Sequence, residues 1–494
     1  MDIDSNLTQT MREHPHQVAI EFEGRQITFN ELHKSRNSFA CFLRSKQIIK
    51  GDRVALFTPS SISLVISFLG ILRNGSIVIP VNPQFREHEL LHMLSDSGAK
   101  AVVTDIEHAV FIDSIRSQLP CLKEIILIEE LKDMDAWHQV AQESREKLEA
   151  DDMVAIFYTS GTTGKPKGAA LSHRNIITNL DALEKIWEWT ERDVLLHTLP
   201  LYHVHGLLIA LLGSLLVGNK IILRKKFEAA DALHTISEKH ITLFMGVPTM
   251  YFRMAECGIV SDLSSMRLFI SGSAPLTKDL FQRFRQRFGF EILERAGMTE
   301  TLMNFSNTIN GNRIPGSVGF PLPGVEVKIL DDEHQECSPG ESGEIAVRGP
   351  NVFSGYWQNA EATARSFYDG WFLTGDIGKV DDVGHVYIHS RKRDVIKSGG
   401  ILIFPKEVEE VIESMPQVKE CAVIGIPDDE FGEVIKACVV KKDDSVSPEQ
   451  IMDHCKKHLA SFKKPKQVEF LRELPKNHMG KILKEELRRQ SVIS

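Results

Sequence analysis

Apolar positions recur along this chain in two rhythms. Short runs of four or five apolar, often β-branched residues alternate with longer stretches in which apolar residues return every three or four positions. The short runs at 54–57, 77–80, 101–104 and 124–128 predict buried strands, and residues 60–73 predict a helix between two of them. Nearer the N-terminus, residues 19–22 and 26–29 flank Glu23-Gly-Arg25 and predict a hairpin. Thr28 with Glu31 three residues on predicts a capping box, opening a helix with Leu32, Ser35, Phe39, Phe42 and Leu43 on one face. Further strands are expected at 221–224, 243–245, 268–271 and 291–293, each near a helical stretch. Such alternation predicts mostly parallel sheets covered by helices. Ligands in these sheets collect beyond the carboxyl ends of the strands. That rule points to Gly246-Val-Pro248, Gly272-Ser-Ala-Pro275 and Gly297-Met-Thr-Glu300.

The texture changes twice downstream. From about Asn310 glycine and proline become frequent, with short strands at 325–330 and 344–347, which predicts a small all-β region. A second shift falls at 390–394. Beyond it, Pro405 opens a helix with Val408, Val411, Ile412 and Met415 on one face, strands follow at 421–424 and 434–440, and Ser447, Pro448 and Gln450 make a second capping box. The expected fold class is α/β. A large N-terminal domain over residues 1–390 holds two α/β sheet subdomains and the small β region; a hinge at 391–393 leads to a small, mobile α+β domain at 394–494. The charged stretch 132–149 reads as a connector. The longest apolar run, 206–218, is shorter than the roughly 20 residues a spanning helix needs and predicts a buried helix.

Composition narrows the function. The chain has 494 residues and a net charge of −9, which argues against a nucleic-acid or anionic-membrane binder and requires any anion site to be built locally. The seven cysteines are scattered and none forms C-x-x-C, so neither a zinc ribbon nor a disulfide framework is expected. A reducing cytosol fits that usage. The acidic start is unlike a signal peptide and the last residues match no lipidation signal, so a cytoplasmic protein without a stable membrane anchor is expected. One stretch breaks the acidic background. Residues 158–168, Tyr-Thr-Ser-Gly-Thr-Thr-Gly-Lys-Pro-Lys-Gly, follow the strand-like run 153–157 and precede 169–176, which reads as the opening of a helix. Glycines that admit backbone N–H groups, hydroxyls that donate and lysines that neutralise charge suit a polyphosphate. The spacing of Gly161 and Gly164, with Pro166 after Lys165, is not that of a Walker loop.

Taken in order, several motifs resemble those of the adenylate-forming acyl-CoA synthetases, a family that includes luciferases and peptide-synthetase adenylation domains. They are residues 158–168, Pro200-Leu-Tyr-His-Val-His-Gly206, Ser271-Gly-Ser-Ala-Pro275, Gly297-Met-Thr-Glu300, Thr374-Gly-Asp376, residues 391–394 with Ser398-Gly-Gly400, and Pro475-Lys-Asn-His-Met-Gly-Lys481. The resemblance implies two half-reactions: a carboxylic acid and ATP give an acyl-adenylate and pyrophosphate, then coenzyme A displaces AMP. It also implies the parts. Thr159, Ser160, Gly161, Thr162, Thr163, Gly164, Lys165 and Lys167 would hold the pyrophosphate end, with Lys167 the more characteristic lysine. Glu300 would hold Mg²⁺ and Thr299 would donate to the α-phosphate. Gly272, Ser273 and Ala274 would border the nucleotide, and Asp376 and Arg391 would reach the ribose. Arg393 would sit at the hinge. Lys481 would be inserted by the small domain between carboxylate and phosphate. His203 would lie near the acyl pocket and thiol entrance, and Gly399 and Gly400 would line the pantetheine passage. His203 and His205 lack a third metal ligand nearby in sequence, so a buried, hydrogen-bonded role is expected. Ala296 stands where the family usually has an aromatic residue stacked on adenine, a loss of roughly 1–3 kcal/mol by analogy with base stacking.

The local texture at 246–251, 271–276, 299–304 and 313–316 is most similar to the malonyl-CoA synthetase branch. A dicarboxylate needs a cation at the far end of its pocket. Arg283 is the expected one, with Arg253 and Arg295 as others and with His205 and Met303 in the pocket. A medium- or long-chain fatty acid ligase is the competing reading, for which Leu207, Met250, Phe252, Leu302 and Met303 would serve as an apolar wall. A stand-alone adenylation enzyme loading a carrier protein is a third. A non-catalytic nucleotide sensor is a fourth, suggested by Ala296 alone and opposed by Lys481, Glu300, Asp376 and Lys167. The expected partners are a small carboxylic acid and coenzyme A, with no nucleic acid; oligomeric state is left open.

Overall fold

The computed structural model describes residues 2–130, 147–159, 165–399, 401–428, 430–443, 445–477 and 481–493. The connector expected at 132–149 lies largely outside them. Four sheets organise the rest: one of nine strands, one of seven and two of five. A large domain carries the first three, and the fourth is built from residues after Val395, which makes the molecule the mixed α/β assembly that the periodicity predicts.

In the nine-stranded sheet, Leu293–Met298, Leu268–Ser271, Leu243–Gly246, Val194–His197, Lys220–Leu223 and Val18–Phe22 run parallel, with antiparallel strands at both edges. In the seven-stranded sheet, Met153–Thr159, Ile77–Pro80, Arg53–Phe57, Ala101–Thr104 and Glu124–Leu127 run parallel. Helices Phe29–Ser45, Ile62–Asn74 and His173–Trp187 contribute to one apolar core shared with both sheets. Predicted local signals appear where expected. Glu23 and Gly24 both have positive φ (50° and 79°), the turn that matches the twist of a two-residue hairpin. The Thr28 amide donates to Glu31 Oε2 at 2.8 Å, and the Glu31 amide donates to Thr28 Oγ1 at 3.2 Å. The run 206–218 is helical and largely buried, but its first part, His205–Leu212, has the wider π geometry before Gly213–Val217 continues as α-helix.

Two expectations need correction. The stretch 169–176 does not open a helix directly. Lys167–Ser172 is a strand pairing antiparallel with Met153–Thr159, and the helix starts only at His173 with Ser172 as its cap. The phosphate-type loop is therefore the tip of a hairpin. Alanine favours helix in isolation, but here Ala169 and Ala170 are buried in the sheet, paired with Phe157 and Ile156 on one side and with Tyr356 and Gly355 on the other. The strand expected at 291–293 instead runs Leu293–Met298, so Ala296 and Gly297 belong to it rather than to the loop beyond.

A second five-stranded sheet, with Glu326–Leu330, Gly343–Arg348 and Trp371–Val380 among its strands, forms the predicted β region. The small domain pairs Val418–Asp428 with Gly432–Lys441 and packs helices Pro405–Glu413 and Pro448–His458 around its own apolar cluster. Among the described residues, no helix is long and apolar enough to cross a membrane.

The N-terminal helix Ile3–Glu13 is pinned by buried charge. Asp4 and Arg36 are fully enclosed and meet at 3.1 Å, while Arg73 reaches the other Asp4 oxygen at 2.8 Å and Arg36 Nη2 donates to Thr8 Oγ1 at 2.6 Å. Removing one member leaves the others charged and enclosed. Asp4→Ala is expected to lower the stability of the large domain by about 3–5 kcal/mol, read from urea denaturation. A change under about 1 kcal/mol would show that this pair does not hold the helix in place.

Candidate active site

The first cluster surrounds Glu300. Thr159 and Lys167 are the last paired residues of the hairpin. Ser160, Gly161, Thr162, Thr163 and Gly164 lie outside the described residues, whereas Lys165 is exposed just beyond them. The buried Glu300 carboxylate accepts from the Tyr356 hydroxyl at 2.9 Å and from Thr159 Oγ1 at 3.4 Å, both at Oε1. Lys167 Nζ lies 5.4 Å from the centre of the Tyr356 ring. Burial, then the neighbouring Glu300, pushes the Tyr356 phenol well above its ordinary pKa, so it remains a donor to that carboxylate. A lone carboxylate among hydroxyls is too small a donor set for an all-protein cage. It fits a hard ion such as Mg²⁺, which takes one or two carboxylates and completes its shell with water and phosphate oxygens. Among the described residues no larger cluster of metal-ligating side chains exists. Thr299 sits half-buried beside Glu300 at the turn.

The second cluster joins the two domains. Asp376 and Arg391 face each other across an antiparallel strand pair, and Arg391 Nε meets Asp376 Oδ1 at 2.9 Å. Arg391 Nη1 also donates to the Thr374 carbonyl at 3.1 Å. Lys481, from the small domain, comes close enough for its charge to act on Asp376. Burial pushes the Asp376 carboxyl up against the pull of Arg391 and Lys481. Desolvation, then Arg391, pulls the Lys481 ammonium below its ordinary value, while Asp376 acts in the opposite sense. Lys481 keeps a water-facing surface, so this is a crowded cleft rather than a sealed interior. Two hydrogen bonds to Asn477 hold its backbone: the Lys481 amide donates to Asn477 Oδ1 at 2.9 Å, and the Asn477 amide donates to the Lys481 carbonyl at 2.9 Å. Arg391 also acts on the Tyr356 phenol, which ties this cluster to the first.

The third cluster is built at the π-helical turn. Gly206 is obligatory there, because a Cβ would stand 2.1 Å from the Pro200 carbonyl oxygen. The turn brings three histidines together. His197 Nε2 pairs with the Gly206 carbonyl at 2.9 Å and its Nδ1 accepts from the Leu199 amide at 3.2 Å, a consistent neutral tautomer. His203 is half-buried, with its ring 4.6 Å from that of Tyr202. His205 is buried, and its Nδ1 lies 3.2 Å from Ser273 Oγ. Ser273 holds a positive φ of 68°, a strained conformation for a non-glycine residue that here aims its hydroxyl at the histidine. Gly272 lies directly against the Arg295 guanidinium, since a Cβ would fall 2.4 Å from Cζ. Ala274 is half-buried beyond Ser273.

Other predicted residues are more dispersed. Met303 is buried, and Asn179 clamps its backbone with hydrogen bonds of 2.7 and 3.1 Å. Ala296 is half-buried opposite Phe305, which is itself enclosed and does not offer its ring to a ligand. Arg283 is already matched, with Glu256 at 3.2 Å and Asp279 at 2.5 Å, and stacks over Phe252. With Arg253 it borders an open cleft of about 1520 Å³ between the domains, whose opposite wall includes Lys476 and Asn477. None of Glu300, Asp376 or Lys481 lines that cleft, so the polar clusters define the site better than its volume does. Gly399 has φ of 57° and donates its amide to the Phe431 carbonyl at 2.8 Å; Gly400 lies outside the described residues. Arg393 Nη1 lies 3.7 Å from Glu485 Oε1. Tyr356, Asn179 and Glu344 were not legible as site residues. Glu344 accepts from the Gly375 amide at 3.2 Å and pairs with Lys392 at 2.7 Å, yet no motif marks it.

Comparison with known proteins agrees with this geometry. Residues 7–357 match the AMP-binding enzyme family and residues 407–481 match the AMP-binding enzyme C-terminal domain. A long-chain-fatty-acid–CoA ligase of Bacillus subtilis (strain 168) is 35% identical, covering 98% of this chain and 94% of that protein. ATP-bound MatB from Rhodopseudomonas palustris superposes with a TM-score of 0.94 at 38% identity, covering 99% of each chain. O-succinylbenzoate coenzyme A synthetase (MenE) of Bacillus subtilis, in complex with AMP, gives 0.86 at 32% identity and 98% of each.

Burial pushes His197 down to about 4 and His205 well below its ordinary value, the latter with further help from the Arg295 charge. Both rings are therefore expected to stay neutral from pH 8 down to about 5.5. Carbon-13 NMR of labelled histidine rings checks this. A midpoint near 6.5 for either ring would mean that the turn is open to water.

Proposed function

The chain belongs to the AMP-binding enzyme family and is an acyl-CoA ligase, and we propose that it activates a short dicarboxylic acid, malonate foremost, as an acyl-adenylate. The observation that carries the mechanism is the position of Lys481 against Asp376 and Arg391. In the first half-reaction a carboxylate oxygen of the acid bonds to the α-phosphorus of ATP. The bond from that phosphorus to the bridging oxygen breaks, and pyrophosphate leaves. Two anions must meet, so a cation at their junction lowers the barrier, typically by about 3 kcal/mol or a hundred- to thousandfold in rate. Lys481 supplies it. Asp376 and Arg391 position the ribose, and Thr299 donates to the α-phosphate. Lys165 and Lys167, with the hairpin tip, hold the departing pyrophosphate. Glu300, supported by Thr159 and Tyr356, would hold Mg²⁺, which supplies charge neutralisation to the phosphates when bound.

In the second half-reaction the thiol sulfur of coenzyme A bonds to the acyl carbon. AMP leaves with the carboxylate oxygen, and the thiol proton passes to solvent. Lys481 must withdraw for this step. A hinge at 391–393 would let the domain rotate and bring Gly399 and Gly400 to the pantetheine passage. Within that stretch Arg391 pairs with Asp376 and Lys392 with the buried Glu344, both on the large domain, whereas Arg393 lies 3.7 Å from Glu485 of the small one. His203 borders the thiol entrance.

The dicarboxylate reading is supported by the motif texture at 246–251 and 299–304 and by the 38% identity to MatB. A fatty acid is the second reading, favoured by the name of the B. subtilis relative and by Met250 and Phe252 in the open cleft. Assay of the purified protein with ATP, coenzyme A and malonate, methylmalonate, acetate, octanoate, palmitate or an aryl acid decides between them. Lys481→Ala is expected to abolish acid-dependent pyrophosphate release while sparing thioester formation from supplied acyl-adenylate. Normal pyrophosphate release in that variant would remove Lys481 from the mechanism.

A further inference from the structure

The hairpin that carries Thr159 and Lys167 runs past the strands beside it. Among the described residues, Met153–Thr159 meets Ile77–Pro80 at Ala155, opposite Val78, and Lys167–Ser172 meets Gly355–Tyr356 at Ala169 and Ala170. The pairs Tyr158–Gly168 and Thr159–Lys167 lie beyond both neighbours. One further backbone bond, from the Trp357 amide to the Gly168 carbonyl at 2.7 Å, reaches that far. Side chains of the helix Glu87–Ser97 supply the rest. His92 and Asp96 are four residues apart and share one face of it. The Tyr158 hydroxyl donates to Asp96 Oδ2 at 2.6 Å, and His92 Nε2 lies 2.9 Å from the Pro166 carbonyl oxygen. A carbonyl only accepts, so that ring nitrogen carries its proton and donates. Burial, then the bond to Asp96, pushes the Tyr158 phenol above its ordinary value, so it stays a donor. The rings of His92 and Tyr158 meet edge to face at 6.1 Å, closing the contact.

The same helix end holds a third strand of chain. Trp357 Nε1 donates to the Asp96 carbonyl at 3.1 Å. Each of the three contacts thus lands on the neighbour of a residue in the Glu300 cluster: Tyr158 precedes Thr159, Pro166 precedes Lys167, and Trp357 follows Tyr356. Thr159 and Tyr356 both donate to Glu300 Oε1, and Lys167 lies over the Tyr356 ring. A helix that makes no contact with the cluster itself therefore sets the spacing of three of its members. Resting on the ligase reading above, we propose that His92 and Asp96 are positioning residues for the polyphosphate of ATP. They fix the end of the hairpin so that Thr159 and Lys167 meet the β- and γ-phosphates in register with Glu300. The effect belongs to the first half-reaction, since pyrophosphate has left before the thiol attacks. It also belongs to ATP rather than AMP, which has no phosphate for the hairpin to hold.

The test uses the full-length protein. Wild type, His92→Leu, His92→Gln and Tyr158→Phe are compared by calorimetric titration with ATP and Mg²⁺, and with AMP. The two half-reactions are then assayed separately: pyrophosphate release with the acid that wild type turns over fastest, and thioester formation from the corresponding acyl-adenylate. In His92→Leu and Tyr158→Phe, ATP affinity and pyrophosphate release are each expected to fall about 10- to 100-fold, the scale of a misplacement near 1 Å. AMP affinity and thioester formation should stay at the wild-type level. His92→Gln presents an amide N–H in place of Nε2 and should restore ATP affinity. Equal weakening of ATP and AMP, equal losses in both half-reactions, or a lowered melting temperature with unchanged ATP affinity would give these residues a packing role and overturn the proposal. Wild-type ATP affinity in both His92→Leu and Tyr158→Phe would overturn it while leaving the ligase reading intact. Failure of the wild type to release pyrophosphate with any acid of the panel would overturn the ligase reading and the proposal with it.

Discussion

Everything in this molecule answers to one electrostatic constraint: a carboxylate must approach a polyphosphate. Both are anions, and the chain itself carries a net charge of −9, so no general positive field assists. The cations are placed one at a time. Lys167 lies over the Tyr356 ring at the end of a hairpin, Arg391 is paired across two strands with Asp376, and Lys481 comes from the small domain with its amide on Asn477. On the mechanism proposed above, a cation held permanently at the junction of the two anions would obstruct the thiol, whereas one carried on a domain that rotates would serve the first step and leave before the second.

Polar burial in the large domain separates structure from function. Asp4, Arg36 and Arg73 form a closed set that fixes the N-terminal helix. His197 is closed as well, with both ring nitrogens occupied by backbone groups. Arg295 and His205 are open, with enclosed nitrogens that the described protein does not satisfy. The first kind maintains the fold. The second lies beside the strained Ser273 and the close-approach glycine Gly272, where local rules are broken together.

Much of this was legible in the sequence, for physical reasons that differ by region. The short apolar runs marked the parallel strands because both of their faces are buried, and the capping pairs Thr28–Glu31 and Ser447–Gln450 marked helix starts because the donors and acceptors are local. The loop at 158–168 was legible as chemistry but not as architecture. Ala169 and Ala170 carry helix propensity, and only pairing with a strand across the hairpin overrides it. Site residues in contiguous motifs stood out, whereas Tyr356, Glu344 and Asn179 did not, since each acts through a contact with a distant part of the chain. Arginines look alike in sequence, and only the structure shows that Arg283 is matched by Glu256 and Asp279.

The central claim is that the paired clusters form an adenylate from a short diacid and hand it to coenzyme A. A single-turnover experiment tests it most directly: enzyme in excess is mixed with ATP, Mg²⁺ and malonate without coenzyme A, and the bound species are identified by mass spectrometry. The account predicts malonyl-adenylate held on the protein in equal amount to released pyrophosphate, discharged as malonyl-CoA when coenzyme A is added. No adenylate with malonate, alongside its ready formation from octanoate, would contradict it.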